Sequence, residues 1–257
     1  MRRGALLLGL AFLWAPIALM VVYAFSDSRT PFQWGGFSLR WFAALAANER
    51  LLEAAWLSLR VGAAAATLAT LLGLALGWVL ARQRAFAGRA LFGVLAGAPL
   101  VLPEVVMGLA LLLLFVGLQA LTGWPAQRGA VTVWLAHSAL GMAYVAVLVQ
   151  ARLVALDPAL EDAAADLGAT PAVVFATVTL PLIRPSLTAG WLLAFTLSLD
   201  DVVLASFVSG PGATTLPVYL FSQLRLGMTP EANALAVVML GVGAIAMATV
   251  VVTRGSQ

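Results

Sequence analysis

Residues 157–185 read DPALEDAAADLGATPAVVFATVTLPLIRP, a segment with a polar beginning that lies between two strongly apolar runs. Asp157 is a favourable N-cap, and Gly168 is a natural C-terminal stop for a helix. Thr170-Pro171 then supplies the cap and the N1 proline that begin another helix. The spacing therefore predicts a short helix over 158–167, a tight turn and a second helix. We call residues 157–185 the platform.

The first predicted helix of the platform has a face of small side chains. Ala159, Ala163 and Ala164 share that face at helical spacing. Such a face suits insertion into a cleft of another protein. A plain amphipathic connector lying on a membrane surface would carry the same caps, so the pattern alone leaves both interpretations open.

The composition predicts an all-α membrane protein. Of 257 residues, 63% are hydrophobic and only 10% are charged, which is more apolar surface than a soluble core needs. All fourteen basic residues are Arg, so a phosphate-binding P-loop, which needs a Lys, is excluded. The absence of Cys excludes disulfides and thiolate zinc sites, and a single His excludes an HExxH zinc site.

Charge-poor apolar runs predict six transmembrane helices. They are Ala5–Phe25, Val61–Ala81, a third within Ala90–Leu121 that Pro99, Pro103 and Glu104 interrupt, Gly129–Ala151, a fifth from near Pro185 to about Ser209, and Ala232–Thr253. The expected organisation is a first helix with an external loop over 1–50, a transmembrane core over 51–253 and a short tail over 254–257.

The distribution of Arg predicts the orientation. Six spans place both termini on one side of the membrane, and most of the Arg residues then lie on that side: Arg2, Arg3, Arg82, Arg84, Arg89, Arg152, Arg184 and Arg254. The positive-inside rule makes this side cytoplasmic. The platform is therefore expected to lie at the cytoplasmic surface.

Three acids fall within the predicted spans: Glu104, Asp200 and Asp201. A carboxylate at mid-membrane depth costs about 2.5–3.5 kcal/mol on insertion scales, so each needs a physical reason. Deep acids without deep bases suit a path for a cationic substrate. The alternative is that these acids cap broken helices or hydrogen-bond to neighbours such as His137 or Tyr144.

The platform resembles the cytoplasmic signature of type I ABC importer permeases, the binding-protein-dependent family. That signature runs Glu-Ala-Ala, three residues, Gly, nine residues, Ile, one residue and Leu-Pro. This chain has the same spacing with Asp for Glu and Val for Ile: Asp162-Ala163-Ala164, Gly168, Val178 and Leu180-Pro181. The resemblance implies a type I fold and a coupling helix that fits a groove on an ATPase subunit. The residues implied in coupling are Glu161, Asp162, Ala163, Ala164, Gly168, Leu180 and Pro181.

The resemblance also implies the assembly and its location. A homologous second permease subunit, a dimer of cytoplasmic ATP-binding subunits and an extracytoplasmic substrate-binding protein are the expected partners, with the bilayer and without nucleic acid. ATP would be bound by the partner, so this chain is expected to be no enzyme and to hold no cofactor, catalytic residue or metal. The expected place is the bacterial inner membrane, with both termini cytoplasmic.

Four further segments look like the polyamine (putrescine and spermidine) branch of that family: Trp191–Val203, Ala205–Pro217, Pro99–Val106 and Pro230–Leu235. The resemblance implies that carboxylates of the spans meet the ammonium groups of a diamine. The nearest alternative is a permease for another cation, such as ferric iron or thiamine. An intramembrane enzyme using the Asp pair and His137 is disfavoured because adjacent helical residues do not converge, and a scaffold protein is the remaining class.

Overall fold

The computed structural model describes residues 2–30, 33–83, 85–226 and 231–241. Its regular elements are helices, with one isolated antiparallel bridge between Ser26 and Phe37, which confirms the predicted all-α class. The helices are α1 (Arg2–Ala24), α2 (Arg40–Ala47), α3 (Glu49–Arg82), α4 (Arg89–Val101), α5 (Glu104–Thr122), α6 (Ala130–Ala155), α7 (Ala159–Asp166), α8 (Pro171–Val174), the π segment (Phe175–Thr179), α9 (Leu180–Asp200), α10 (Val203–Val208), α11 (Leu216–Leu226) and α12 (Glu231–Gly241).

Five of the described helices are long and apolar enough to cross a membrane. They are Leu6–Ala24, Glu49–Arg82, Glu104–Thr122, Ala130–Ala155 and Pro171–Asp200. Two shorter apolar helices are α4 and α12. Most of the predicted sixth span, Ala232–Thr253, lies outside the described residues, so the number six stays a prediction.

The third apolar region is broken once, between α4 and α5. Leu102 has extended backbone angles (φ −71°, ψ 135°), as expected for a residue that precedes a proline. Pro103 then stands in the N-cap position of α5, and Glu104 begins the helix. The predicted interruption at Pro103 and Glu104 is confirmed, whereas Pro99 lies inside α4 and does not interrupt it.

The fifth span differs from its prediction at both ends. A continuous helical run begins at Pro171, and neither Pro181 nor Pro185 ends it. The π segment, which has wider turns, ends two residues before Pro181, and Pro181 has no N–H to donate. Such a segment allows a helix to continue past the missing hydrogen bond. The run stops at Asp200 instead of continuing to Ser209, because Asp201 is extended (φ −70°, ψ 123°).

The chain divides into two compact units, one formed by residues 1–53 with 219–257 and the other by residues 54–218. In the second unit α6 is the central helix, since half of its most apolar stretch is buried. It contributes to two apolar clusters, one shared with α5 and α10 and one shared with α3 and α9. The predicted domain boundaries at residues 50 and 253 are not tested by this division.

In the first unit the loop after α1 is held by polar contacts to α2. The indole N–H of the buried Trp41 donates to the Ser26 carbonyl at 2.7 Å. Arg40 forms an ion pair with Asp27 at 3.0 Å, and its hydrogen bond lowers the pKa of the Asp27 carboxyl below the ordinary value. These contacts fix the first turn of α2 against the end of α1.

Helices α3 and α6 touch through glycines. A Cβ atom at Gly77 would lie 2.8 Å from the Ala146 carbonyl oxygen and 3.0 Å from the Val149 Cβ, closer than packed atoms approach. At Gly97 in α4, nothing described lies within 4 Å of the same position. The absence of a side chain at Gly77 therefore sets the distance between the two helices.

We expect Gly77→Ala to destabilise the protein by about 1–3 kcal/mol, since the added methyl group overpacks the α3–α6 contact. The matched variant Gly97→Ala adds the same methyl group without a clash and should unfold at the wild-type temperature or slightly above it, since Ala favours a helix more than Gly does. Thermal unfolding of both variants in the same detergent measures the difference, and an equal melting temperature for the two would contradict this account of the packing.

Candidate functional site

The platform has the predicted form of helix, turn and helix. The Ala159 N–H donates to Asp157 Oδ1 at 3.0 Å, so Asp157 caps the start of α7. At the other end Gly168 has φ +86°, in the left-handed region that ends helices. The N–H of Val174 donates to the Thr170 carbonyl at 2.9 Å and starts the next helix, although the Thr170 hydroxyl makes no capping bond.

The surface of α7 is open. No residue of this helix is buried, and Leu167, which follows it, is 91% exposed. Asp162 and Ala163 are exposed, while Ala164 and Glu161 are half-buried. Leu180 and Pro181 are the first two residues of α9, and Pro181 is exposed. The predicted coupling residues that are exposed are therefore Asp162, Ala163, Gly168 and Pro181, and the others are half-buried.

Glu161 ties α7 to two neighbouring elements. Arg82 at the end of α3 donates from Nη2 to Glu161 Oε1 at 2.7 Å. The hydroxyl of Thr179, the last residue of the π segment, donates to the same oxygen at 2.8 Å. We call these three side chains the Glu161 bridge. The sequence singled out Glu161 but not its two partners, which no spacing rule connects to it.

Asp201 is a buried cap of α10. Its Oδ1 accepts the Leu204 N–H at 3.0 Å, and its Oδ2 accepts the Ala205 N–H at 2.7 Å. The Nε2 atom of His137 on α6 lies 3.0 Å from the same Oδ2. This geometry is the alternative stated for the intramembrane acids, a cap of a broken helix with His137 as neighbour. A role of Asp201 in the substrate path stays a prediction.

His137 connects the same carboxylate to α9. Its Nδ1 lies 2.6 Å from the Ser198 hydroxyl oxygen, so Ser198, His137 and Asp201 follow one another as in a nucleophile triad. Ser198 is only 5% exposed and Asp201 8%, whereas a nucleophile must reach its substrate. The arrangement therefore fits a structural role, in which His137 holds α6 against residues 201–202. We call these two residues the helix break.

Asp200 stands beside the helix break as the exposed last residue of α9. The carbonyl end of a helix has a partial negative charge, which adds to the charge of this carboxylate. Asp200 follows Arg184 by sixteen residues, or about 24 Å along a helix. Asp200 thus lies far along the apolar part of the span, next to the carbonyl end of α9.

Glu104 is the exposed first residue of α5, where the partial positive charge of the helix N-terminus stabilises a carboxylate. One turn later, Gly108 packs so closely on Phe207 of α10 that a Cβ atom would lie 2.6 Å from the ring. The first turns of α5 are therefore neighbours of α10. Within the described residues, no hydrogen bond or ion pair joins Glu104 to Asp200, and no group of three acids or histidines could hold a metal ion.

The match to known proteins agrees with the geometry of the platform. Residues 73–256 match the family described as "Binding-protein-dependent transport system inner membrane component". The chain belongs to this family. This confirms the resemblance to ABC importer permeases and makes the chain an inner membrane component of a transport system.

Individual relatives cover nearly the whole chain. It is 52% identical over 240 residues to the putrescine transport system permease protein PotI of Escherichia coli (strain K12), which covers 93% of this chain and 85% of that protein. The spermidine/putrescine transport system permease protein PotC of the same strain is 37% identical over 93% of this chain and 88% of its own.

A solved structure supports the fold. The crystal structure of a bacterial ABC transporter involved in the import of the acidic polysaccharide alginate superposes with a TM-score of 0.71. The likeness covers 98% of this chain and 94% of that one at 15% identity, so it shows the fold alone.

The adjacent acids should differ in their effect on stability. We expect Asp201→Ala to lower stability by about 1–3 kcal/mol, because it leaves two buried N–H groups without an acceptor. Asp200→Ala, at an exposed position, removes no such acceptor and should not lower stability. The melting temperatures of both purified variants test this, and the contrary result is a stable Asp201→Ala protein.

Proposed function

We propose that this chain is the transmembrane permease subunit of an ABC importer for polyamines such as putrescine. The observation that carries the proposal is the family membership together with 52% identity to a putrescine permease over 93% of the chain. The exposed carboxylate of Asp200 at a broken transmembrane helix adds a chemical reason. A permease for another cation, such as ferric iron or thiamine, is the alternative within the same family.

Cation recognition is assigned to Asp200 and Glu104. Both are exposed and lie on elements next to the helix break. Asp201 already has two N–H donors and His137 as partners, so in this proposal it shapes the break, and its own part in the substrate path stays a prediction. An ammonium group at Asp200 would meet both a carboxylate and the negative end of α9 in a medium of low dielectric constant.

Energy coupling is assigned to the platform. In this proposal the chain has six spans, the platform is cytoplasmic, and α7 is the coupling helix that docks in a groove of an ATP-binding subunit. The open surface of α7 with Leu167 supports a docking role. The Lys-free sequence supports a separate ATPase, since no P-loop can form here.

The remaining partners follow from the family. A second permease subunit would complete the path, and an extracytoplasmic binding protein would deliver the substrate. Helix α4 has no buried residue, and its apolar side chains suit lipid or the second permease. In this proposal both termini lie in the cytoplasm.

The proposal is tested by purifying the chain with its partner subunits and measuring labelled putrescine uptake into proteoliposomes that contain ATP. We expect ATP-dependent uptake that needs the binding protein. Asp200→Asn should raise the KM for putrescine about tenfold, which corresponds to roughly 1.4 kcal/mol, while Asp200→Glu keeps the charge and most of the affinity. A complex that takes up thiamine or ferric iron but does not take up putrescine would overturn the assignment.

The turn of the platform gives a test of coupling. Gly168 has φ +86°, yet nothing lies within 4 Å of a Cβ atom added there, so a substitution strains the backbone without a clash. We expect Gly168→Val to reduce uptake strongly while the protein stays in the membrane, because a β-branched residue resists the left-handed conformation. Gly168→Asn, which tolerates it, is the control. Wild-type uptake by the Val variant would refute this role of the turn.

A further inference from the structure

We infer that the Glu161 bridge passes movement of α7 to the spans α3 and α9 together. The inference rests on the proposed function, in which α7 docks on an ATPase subunit. Among the described residues, the carboxylate of Glu161 makes the side-chain hydrogen bonds that leave α7 for other elements. The other acids of the helix, Asp162 and Asp166, are exposed. Besides the chain itself, Glu161 Oε1 is therefore the polar contact by which a displaced α7 pulls on both α3 and the π segment.

The bridge is shielded enough to hold. The side chains of Arg82 and Glu161 are 21% and 23% exposed, and Thr179 is buried. A charge-assisted bond at 2.7 Å in this setting is stronger than an exposed surface ion pair. Two donors on one oxygen also fix the carboxylate in two directions. The bridge consequently holds its three side chains in a defined geometry, unlike an ion pair between exposed side chains.

The two elements that receive the movement are already packed on each other. The ring of Trp78 on α3 meets the ring of Phe175 in the π segment edge-on, with centroids 5.1 Å apart. The guanidinium of Arg82 lies 5.8 Å from the centre of the same Trp78 ring. The Trp78–Phe175 contact joins the end of α3 to the start of the fifth span, and Arg82 lies beside it on α3. The two elements are therefore expected to move as a pair.

The π segment is the place where the fifth span is expected to bend. Its wider turns are less regular than an α-helix and commonly mark functional positions. Thr179 ends this segment, and α9 then runs without a break to Asp200. A pull at Thr179 is therefore delivered along a single helix to the helix break. Arg82 and Thr179 are positioning residues in this reading, since neither is placed at substrate or at ATP.

The test compares uptake per ATP hydrolysed in the reconstituted complex. We expect Glu161→Ala and Arg82→Ala each to lower this ratio about tenfold while ATP hydrolysis itself continues. Because both variants remove the same contact, the double variant should be no worse than either single one. Thr179→Val, which keeps the shape and loses the donor, should give a smaller loss in the same direction.

A matched control lies on the π segment. Thr177→Val removes an exposed hydroxyl two residues before Thr179, and it should keep the wild-type ratio. If Glu161→Ala is poorly produced, Glu161→Gln and Thr179→Val supply the same comparison with nearly unchanged shape. Bridge variants with a wild-type ratio, or additive losses in the double variant, would overturn the inference.

Failure of the proposed function gives a different result from failure of the bridge. It is seen in the wild-type complex, which would then not import putrescine at all. Failure of the bridge is seen only in the variants, against a wild-type complex that transports.

Discussion

A carboxylate buried in an apolar helical bundle must have its charge balanced by the protein, and Asp201 shows what this requirement does to the chain. Two backbone N–H groups of α10 can bind the carboxylate only if the helix before it stops and a new helix begins beyond it. His137 adds a third contact and joins the break to α6. The break, and with it the end of α9, is therefore a consequence of placing this acid in the core.

The same constraint separates the chemistry of two adjacent residues. Asp201 turns into the bundle, and Asp200 is left exposed at the carbonyl end of α9. One acid is satisfied by the protein and the other is available to a ligand. A regular helix would separate the two acids by about 100° but would offer Asp201 no free N–H groups to bind. The identity of a residue as Asp does not by itself indicate which role it has.

Local rules predicted the local features of the chain well. The cap at Asp157, the stop at Gly168 and the interruption at Pro103 depend on neighbours in sequence, and the structure has all three. The extent of the fifth span was predicted wrongly, since Pro181 and Pro185 were taken as the start of the span, and the helical run begins at Pro171 and passes both. The bridges are a different case. Glu161 is 79 residues from Arg82, and Asp201 is 64 residues from His137, so only the packing of α6, α3 and α9 could bring these partners together.

The fifth span connects the two ends of the proposed mechanism. Near its beginning Thr179 contacts Glu161 of α7, and at its end Asp200 stands beside the helix break. An exposed acid in a span costs about 2.5–3.5 kcal/mol of insertion free energy, and a bound ammonium group offsets that cost only while it is present. A helix that moves when the platform moves changes the surroundings of Asp200, and so changes how well the cation is compensated. Alternating affinity for a cation at Asp200 then follows from the continuous helix α9 between the Glu161 bridge and the break.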